Sequence, residues 1–288
     1  MLPLVFLVVL LQFTPLPRTS LPPFASCSRS AQTSAVMLFG FGKKAKDEAV
    51  AAKSAATPVA VVESPAAPTL AAKADALHAA KQVTELFALL EDADASDDEL
   101  AWRIARAHHD MAEESVGDQA RREKLLRDGL AIAKASKERC NSGLALKWYA
   151  ILLGRLGDFL PKEEKIANSF IVKESLEGAA ARLPEDASVQ TALGQWCFKV
   201  AGISWIERNI AKALFGTPPE STYDEALRYF VASDAIRPSK KASFFAGQAC
   251  AKLKRADEAK TWYKRCLELP SSGEADAELD EQARAELK

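Results

Sequence analysis

The stretch that decides the fold reads Trp196-Cys197-Phe198-Lys199-Val200-Ala201-Gly202-Ile203-Ser204-Trp205-Ile206-Glu207-Arg208-Asn209-Ile210-Ala211-Lys212-Ala213-Leu214-Phe215-Gly216-Thr217-Pro218-Pro219. It holds two of the five tryptophans and closes on a double proline, which cannot continue a helix. Leu193 and Gly194 stand ahead of it; Tyr223, Ala226, Phe230 and Pro238 follow. Those flanks have the spacing of a two-helix repeat unit whose helices are separated by the 196–219 segment. Gly194 and Ala226 lie 32 positions apart, where an uninterrupted unit allows roughly a dozen. About 20 residues are therefore inserted, and they predict one extra, strongly apolar helix.

Working outward, the same unit recurs. Phe244, Gly247, Ala259, Tyr263 and Pro270 match the tetratricopeptide pattern without an insertion. Pro184 falls at the boundary spacing ahead of Leu193-Gly194. Leu144, Leu146, Trp148, Tyr149, Ile151, Leu152 and Leu153 begin a further pair. Ile166, Phe170, Ile171 and Leu176 supply its partner helix. Trp102, Ile104, Ala105 and His109 belong to one earlier helix, and Leu125, Leu126, Leu130 and Ala133 to the next. Leu77, Val83, Leu86, Leu89 and Leu90 read as a single apolar face. The acidic run 91–98 reads as a solvated turn, with Ser96 and Glu99 spaced as a capping box. Gly194 and Gly247 predict close helix crossings. A pair of this kind cannot bury its apolar face alone, so neighbours stack. The fold class is all-α: a tetratricopeptide-like α-solenoid of antiparallel helix pairs over 70–270, with one inserted apolar helix and a polar cap or tail at 271–288.

The whole-chain balance agrees. The 288 residues carry a net charge of −1 and a pI near 6.4, which gives no indication of nucleic-acid binding. Five widely spaced cysteines form no CxxC pair, and Cys140, Cys197, Cys250 and Cys266 read as small core fillers. At the N-terminus, Leu2–Leu11 is apolar apart from Pro3 but too short to span a bilayer. Thr14–Lys46 contains no acidic residue and many hydroxyls and bases, as organelle transit segments do. Residues 1–36 are expected to be a targeting segment for plastid, mitochondrion or endoplasmic reticulum. If the chain instead begins at Met37, cytoplasm and cytoskeleton are expected. Residues 37–69, with Pro58, Pro65 and Pro68, read as a disordered linker.

A family resemblance is carried by Ala74-Asp75-Ala76-Leu77, by Leu100–Ala107, by Lys147-Trp148-Tyr149-Ala150, by Lys165-Ile166-Ala167-Asn168, by Gly194-Gln195-Trp196-Cys197 and, most specifically, by Ile210–Tyr223. Over roughly 70–270 the chain resembles the regulator of microtubule dynamics proteins. That resemblance implies a tetratricopeptide-like solenoid without enzymatic activity. It also implies association with microtubules, or phospholipid binding and transfer by a helical domain at an organelle contact.

The residues themselves offer no catalytic constellation. His78, His108 and His109 are the only histidines. His108 and His109 are adjacent on a helix and point about 100° apart. His109 falls where the repeat expects a packed aromatic. No phosphate loop, dinucleotide fingerprint or nucleophile elbow appears, so neither cofactor nor metal is expected. Two binding hypotheses remain open. In the first, a protein partner such as tubulin lies in the concave face, its acidic tails meeting Arg103, Arg106, Lys147, Lys165 and Lys173. In the second, the inserted helix lines a phospholipid cavity. Ile203, Ile206, Ile210 and Ala213 form one stripe of that helix, and Trp205, Arg208 and Lys212 a second. This pattern fits a plug filling the groove, a lipid wall with phosphate near Arg208 and Lys212, or a surface membrane helix. Salt separates the two hypotheses, because contacts to acidic tails are screened and acyl burial is not.

Overall fold

The structure, a computed structural model, describes residues 68–115 and 117–288. The targeting segment expected at 1–36 lies outside the described residues, and so does the linker at 37–69 except for Pro68 and Thr69. The described chain is helical throughout and contains no strand. Helix α1 (Leu70–Ala79) is capped by the Thr69 hydroxyl, which accepts from the Ala72 N–H. Then follow α2 (Val83–Leu90), α3 (Asp98–Glu114), α4 (Gln119–Cys140) and α5 (Gly143–Leu156). A single 3-10 turn (Gly157–Phe159) leads into α6 (Lys162–Arg182). The chain continues through α7 (Ala187–Ala201), α8 (Trp205–Phe215), α9 (Tyr223–Ile236), α10 (Lys240–Lys252), α11 (Ala256–Glu268) and α12 (Glu274–Glu286).

Helices α3 and α4, α5 and α6, α7 and α9, and α10 and α11 pack as antiparallel pairs, each pair stacked on the next. Small residues set the closest crossings. A Cβ placed on Gly194 would lie 2.6 Å from the Phe230 ring, and one on Gly247 would lie 2.6 Å from the Tyr263 ring. Neither helix could approach its partner so closely with a larger residue there. One core runs through the array from Ala105 to Ala283, with Leu126, Leu152, Leu176, Val189 and Phe230 among its fully buried members. Helix α12 packs on α10 and α11, where the buried Lys240 ammonium donates to Asp280 at 2.5 Å and to the Cys266 carbonyl at 2.8 Å.

Several local expectations are corrected. The apolar face read through Leu77–Leu90 is split between α1 and α2, because Lys81 adopts a left-handed φ of 56° that breaks the helix. The N-cap of α3 is Asp97, whose carboxylate accepts from the Glu99 N–H, while the Ser96 N–H is taken by Asp94. The capping box occurs instead on α8, between Ser204 and Glu207. Residues 196–201 complete α7, so the inserted segment starts at Gly202. Cys140, at the end of α4, is exposed, whereas Cys197, Cys250 and Cys266 are buried. Phe170 and Ile171 of α6 face outward, and the buried side of that helix is formed by Val172, Ser175, Leu176 and Ala179.

Candidate functional site

The inserted segment begins where α7 stops at Gly202. The Ser204 hydroxyl accepts from the Glu207 N–H, and the Glu207 carboxylate accepts from the Ser204 N–H at 2.8 Å. This reciprocal cap starts α8 sharply. Gly216, with φ 74°, ends it, and Pro218-Pro219 prevents its continuation. Ala211 is the only residue of α8 that is fully buried, and α8 rests on α6. At its C-terminal end Phe215 meets Phe170, with ring centroids 5.7 Å apart. The helix therefore covers α6 and buries only Ala211 fully.

Beneath α8 lies a cavity of about 490 Å³, walled by α5, α6 and α7 and closed on one side by Ile203, Glu207 and Ala211. Ile151, Leu153, Val172, Leu176, Trp196 and Val200 give it an apolar interior. The Trp196 indole N–H donates to the Ser169 carbonyl at 2.8 Å, tying α7 to α6 across the cavity floor. Four cations, Arg155, Lys162, Lys165 and Lys199, and two carboxylates, Asp158 and Glu207, complete the lining. Arg155 hydrogen-bonds Glu113, Lys165 stands 3.9 Å from Asp158, and Glu207 is occupied by the cap. Lys199 makes no ion pair among the described residues. Surrounding protein pushes its ammonium pKa down, with Arg155 and Lys165 adding to the effect against the pull of Asp158. Lys241, at the start of α10, is pushed down to about 8, first by the protein around it and then by Arg155 and Lys199, with Asp276 opposing. The result is an apolar chamber with an excess of positive charge around it, suited to a ligand with an apolar body and an anionic end.

The residues singled out in the sequence divide into groups. Arg103 and Arg106 are 9% and 7% exposed. Both bind Asp75, at 2.7 and 2.9 Å, and both lie over the Trp102 ring. Burial acts to raise the Asp75 pKa, but hydrogen bonds from the two guanidinium groups outweigh it and hold it below the usual range. These arginines join α3 to α1 and are not free contacts on a concave face. Lys147 is paired with Asp186 at 2.7 Å, and with Arg106 it borders a separate cleft near Pro184. Lys173 lies over the Trp196 ring at 5.0 Å and near Glu177. Lys165 lines the cavity. Trp205 projects into solvent, 77% exposed, and Lys212 is exposed on the same helix. Arg208 is half-buried, and neither cation of α8 forms an ion pair among the described residues.

The cations that line the cavity are therefore Arg155, Lys162, Lys165 and Lys199 in place of Arg208 and Lys212. No local signal in the sequence marks Arg155 and Lys199; they reach the cavity because each lies one turn after a lining residue, Ile151 and Gln195, on the same helix face. The histidines pack. His108 meets Phe87 edge-on at 5.0 Å, and His109 lies 5.5 Å from the Trp148 ring. Asp110 accepts hydrogen bonds from His109 and His78; burial works to raise its pKa, and these bonds overcome it and hold the carboxyl at about 2.

Comparison with known proteins gives this fold and these residues a family. Residues 70–288 match the family described as regulator of microtubule dynamics protein 1-3. The chain is 36% identical over 220 residues to regulator of microtubule dynamics protein 1 of Bos taurus, covering 75% of this chain and 69% of the relative. It is 31% identical to regulator of microtubule dynamics protein 3 of Rattus norvegicus over 206 residues, covering 69% of this chain and 44% of that longer relative. Among solved structures, a thermophilic TPR protein of Thermus thermophilus superposes with a TM-score of 0.53 at 16% identity, over 76% of this chain and 97% of that one. That similarity is one of fold.

Proposed function

This chain belongs to the regulator of microtubule dynamics protein family, and we propose that its helical scaffold is a non-enzymatic module that seats an amphiphile, chemically a phospholipid, in the cavity between α5 and α8. The observation that carries this reading is the cavity itself. It is apolar inside, about 490 Å³ in volume, and has four cations in its lining against two carboxylates. Chambers of several hundred Å³ take ligands of acyl-chain size, and burial of an apolar tail supplies affinity at roughly 25 cal/mol per Å². The anionic end would lie near Lys199 and Arg155, where an added negative charge relieves the mutual repulsion of the cations. A protein partner with acidic tails, such as tubulin, competes for this description through the relatives' name. Of the cations read for such tails, Arg103, Arg106 and Lys147 are bound to Asp75 and Asp186, which leaves Lys165 and Lys173.

Native mass spectrometry of the purified full chain, followed by lipid extraction, tests the reading. The expected result is a phospholipid adduct that survives salt of about 0.5 M, where contacts to acidic tails are screened. Ala192→Phe, which fills the chamber from α7, is expected to abolish the adduct while the helical circular dichroism is kept. A chain with no lipid, or an adduct indifferent to Ala192→Phe, contradicts it.

A further inference from the structure

The outer side of α8 is not accounted for by the cavity. Trp205 and Ile206 are 77% and 60% exposed, although one is the largest and the other among the most apolar side chains in the helix. Asn209, Lys212 and Ala213 continue the same outward face. The inward face carries Glu207, Ile210 and Ala211, so the two stripes read from the sequence are turned relative to the expectation: Ile206 is separated from Ile210 and joins Trp205 in solvent. An indole left in water at the first position of a well-capped helix has no structural role in the array. It is covered by nothing within the described chain.

We propose that α8 is a membrane-docking helix. Trp205 and Ile206 enter the boundary between headgroups and acyl chains of an anionic leaflet, and Arg208 and Lys212 meet its phosphates. Charge complementarity selects this occupant. Arg208 and Lys212 form no ion pair among the described residues, and the one carboxylate of α8, Glu207, is turned back to Ser204 by the cap. An aromatic and an aliphatic side chain at one end, with cations on the flank, is the pattern of helices that lie in the interface. At 11 residues α8 is too short to cross a bilayer, so it would lie in the interface. Because α8 also closes the cavity, docking would bring the mouth of the chamber to the lipid. That consequence rests on the phospholipid reading above, whereas the docking itself does not.

The test uses the full chain and vesicles of phosphatidylcholine with or without phosphatidylserine, some carrying brominated acyl chains. The expected result is binding to the anionic vesicles, with a bromolipid quench of tryptophan emission that Trp205→Phe removes. Trp205→Ala with Ile206→Ser should weaken binding about tenfold, and Arg208→Gln with Lys212→Gln should weaken it several-fold and flatten its salt dependence. Ala192→Phe should dock normally. Binding in which Trp205 stays unquenched overturns the proposal, because another segment is then responsible. So does a Trp205→Ala/Ile206→Ser variant that binds vesicles like the parent, or one that differs from it only by dissociating a dimer, which would make a second copy the occupant. If vesicle binding fails while the copurified phospholipid remains, docking falls and the cavity reading stands. If docking holds in a chain that carries no lipid, the reverse is true.

Discussion

Two helix pairs of this array share a crossing and differ in what joins their helices. In α10 and α11 the connection is Leu253-Lys254-Arg255, and Gly247 lies under the Tyr263 ring. In α7 and α9 the connection runs from Gly202 to Thr222 and contains α8, yet Gly194 lies under the Phe230 ring just as closely, a Cβ on either glycine falling 2.6 Å from its ring. The crossing is set by helix faces, not by loop length, in keeping with the weak dependence of loop-closure entropy on length. A repeat can thus carry a long insertion at little structural cost, and the insertion is free to do something else. Here it covers a cavity and leaves an indole in water.

The largest expected effect tests whether the two crossings are equivalent. Gly194→Leu and Gly247→Leu should each destabilise the chain by about 3 kcal/mol, since overpacking against an aromatic ring outweighs the roughly 1 kcal/mol gained in helix propensity. Urea denaturation of both variants checks this. A large loss at Gly247 and a small one at Gly194 would mean that the insertion has loosened its crossing.

The next effect belongs to the region outside the comparison, where charges are internal. Asp110 has its carboxyl held at about 2 against an ordinary value of 3.8. A depressed acid contributes stability that is present above its unfolded pKa and lost as pH falls through the folded one. Stability should therefore decline by about 2 kcal/mol between roughly pH 4 and pH 2 on account of this group. Asp110→Asn should remove that part of the decline in acid-unfolding curves.

How much of this was legible follows the same division. The glycines, the prolines and the helical spacing are local signals, so the repeat, its insertion and the fold class could be read directly. The site was harder. Arg103 and Arg106 read as free cations because their partner Asp75 is 28 and 31 residues away, a pairing only the packed array creates. Lys81 carries no mark of its left-handed backbone, and Phe170 looks like a core residue until α8 is placed beside it. Lys199 and Arg155 look ordinary in sequence and become a site only where α5 and α7 enclose the same chamber.

Smaller effects sharpen the contrast on the inserted side. Ser204→Ala removes the cap of α8 and should cost about 1 kcal/mol, confined to α8. Hydrogen exchange should quicken in 205–215 while α10 and α11 stay protected. The smallest is a pH effect on ligand retention. Lys241 loses its proton near pH 8, and the field it adds to that of Arg155 and Lys199, against Asp276, goes with it. Retention of an anionic phospholipid should weaken about threefold between pH 7 and pH 9. Lys241→Gln should make it flat.

The central claim is that the insertion serves the ligand and not the array. Replacing residues 203–221 by the short Leu-Lys-Arg connection that joins α10 to α11 tests it most directly, with thermal unfolding and copurified phospholipid measured on the same full-chain preparation. The account predicts a melting midpoint within about 5 °C of the parent and loss of the bound lipid. A chain that unfolds without α8, or one that keeps its lipid without it, would contradict the account.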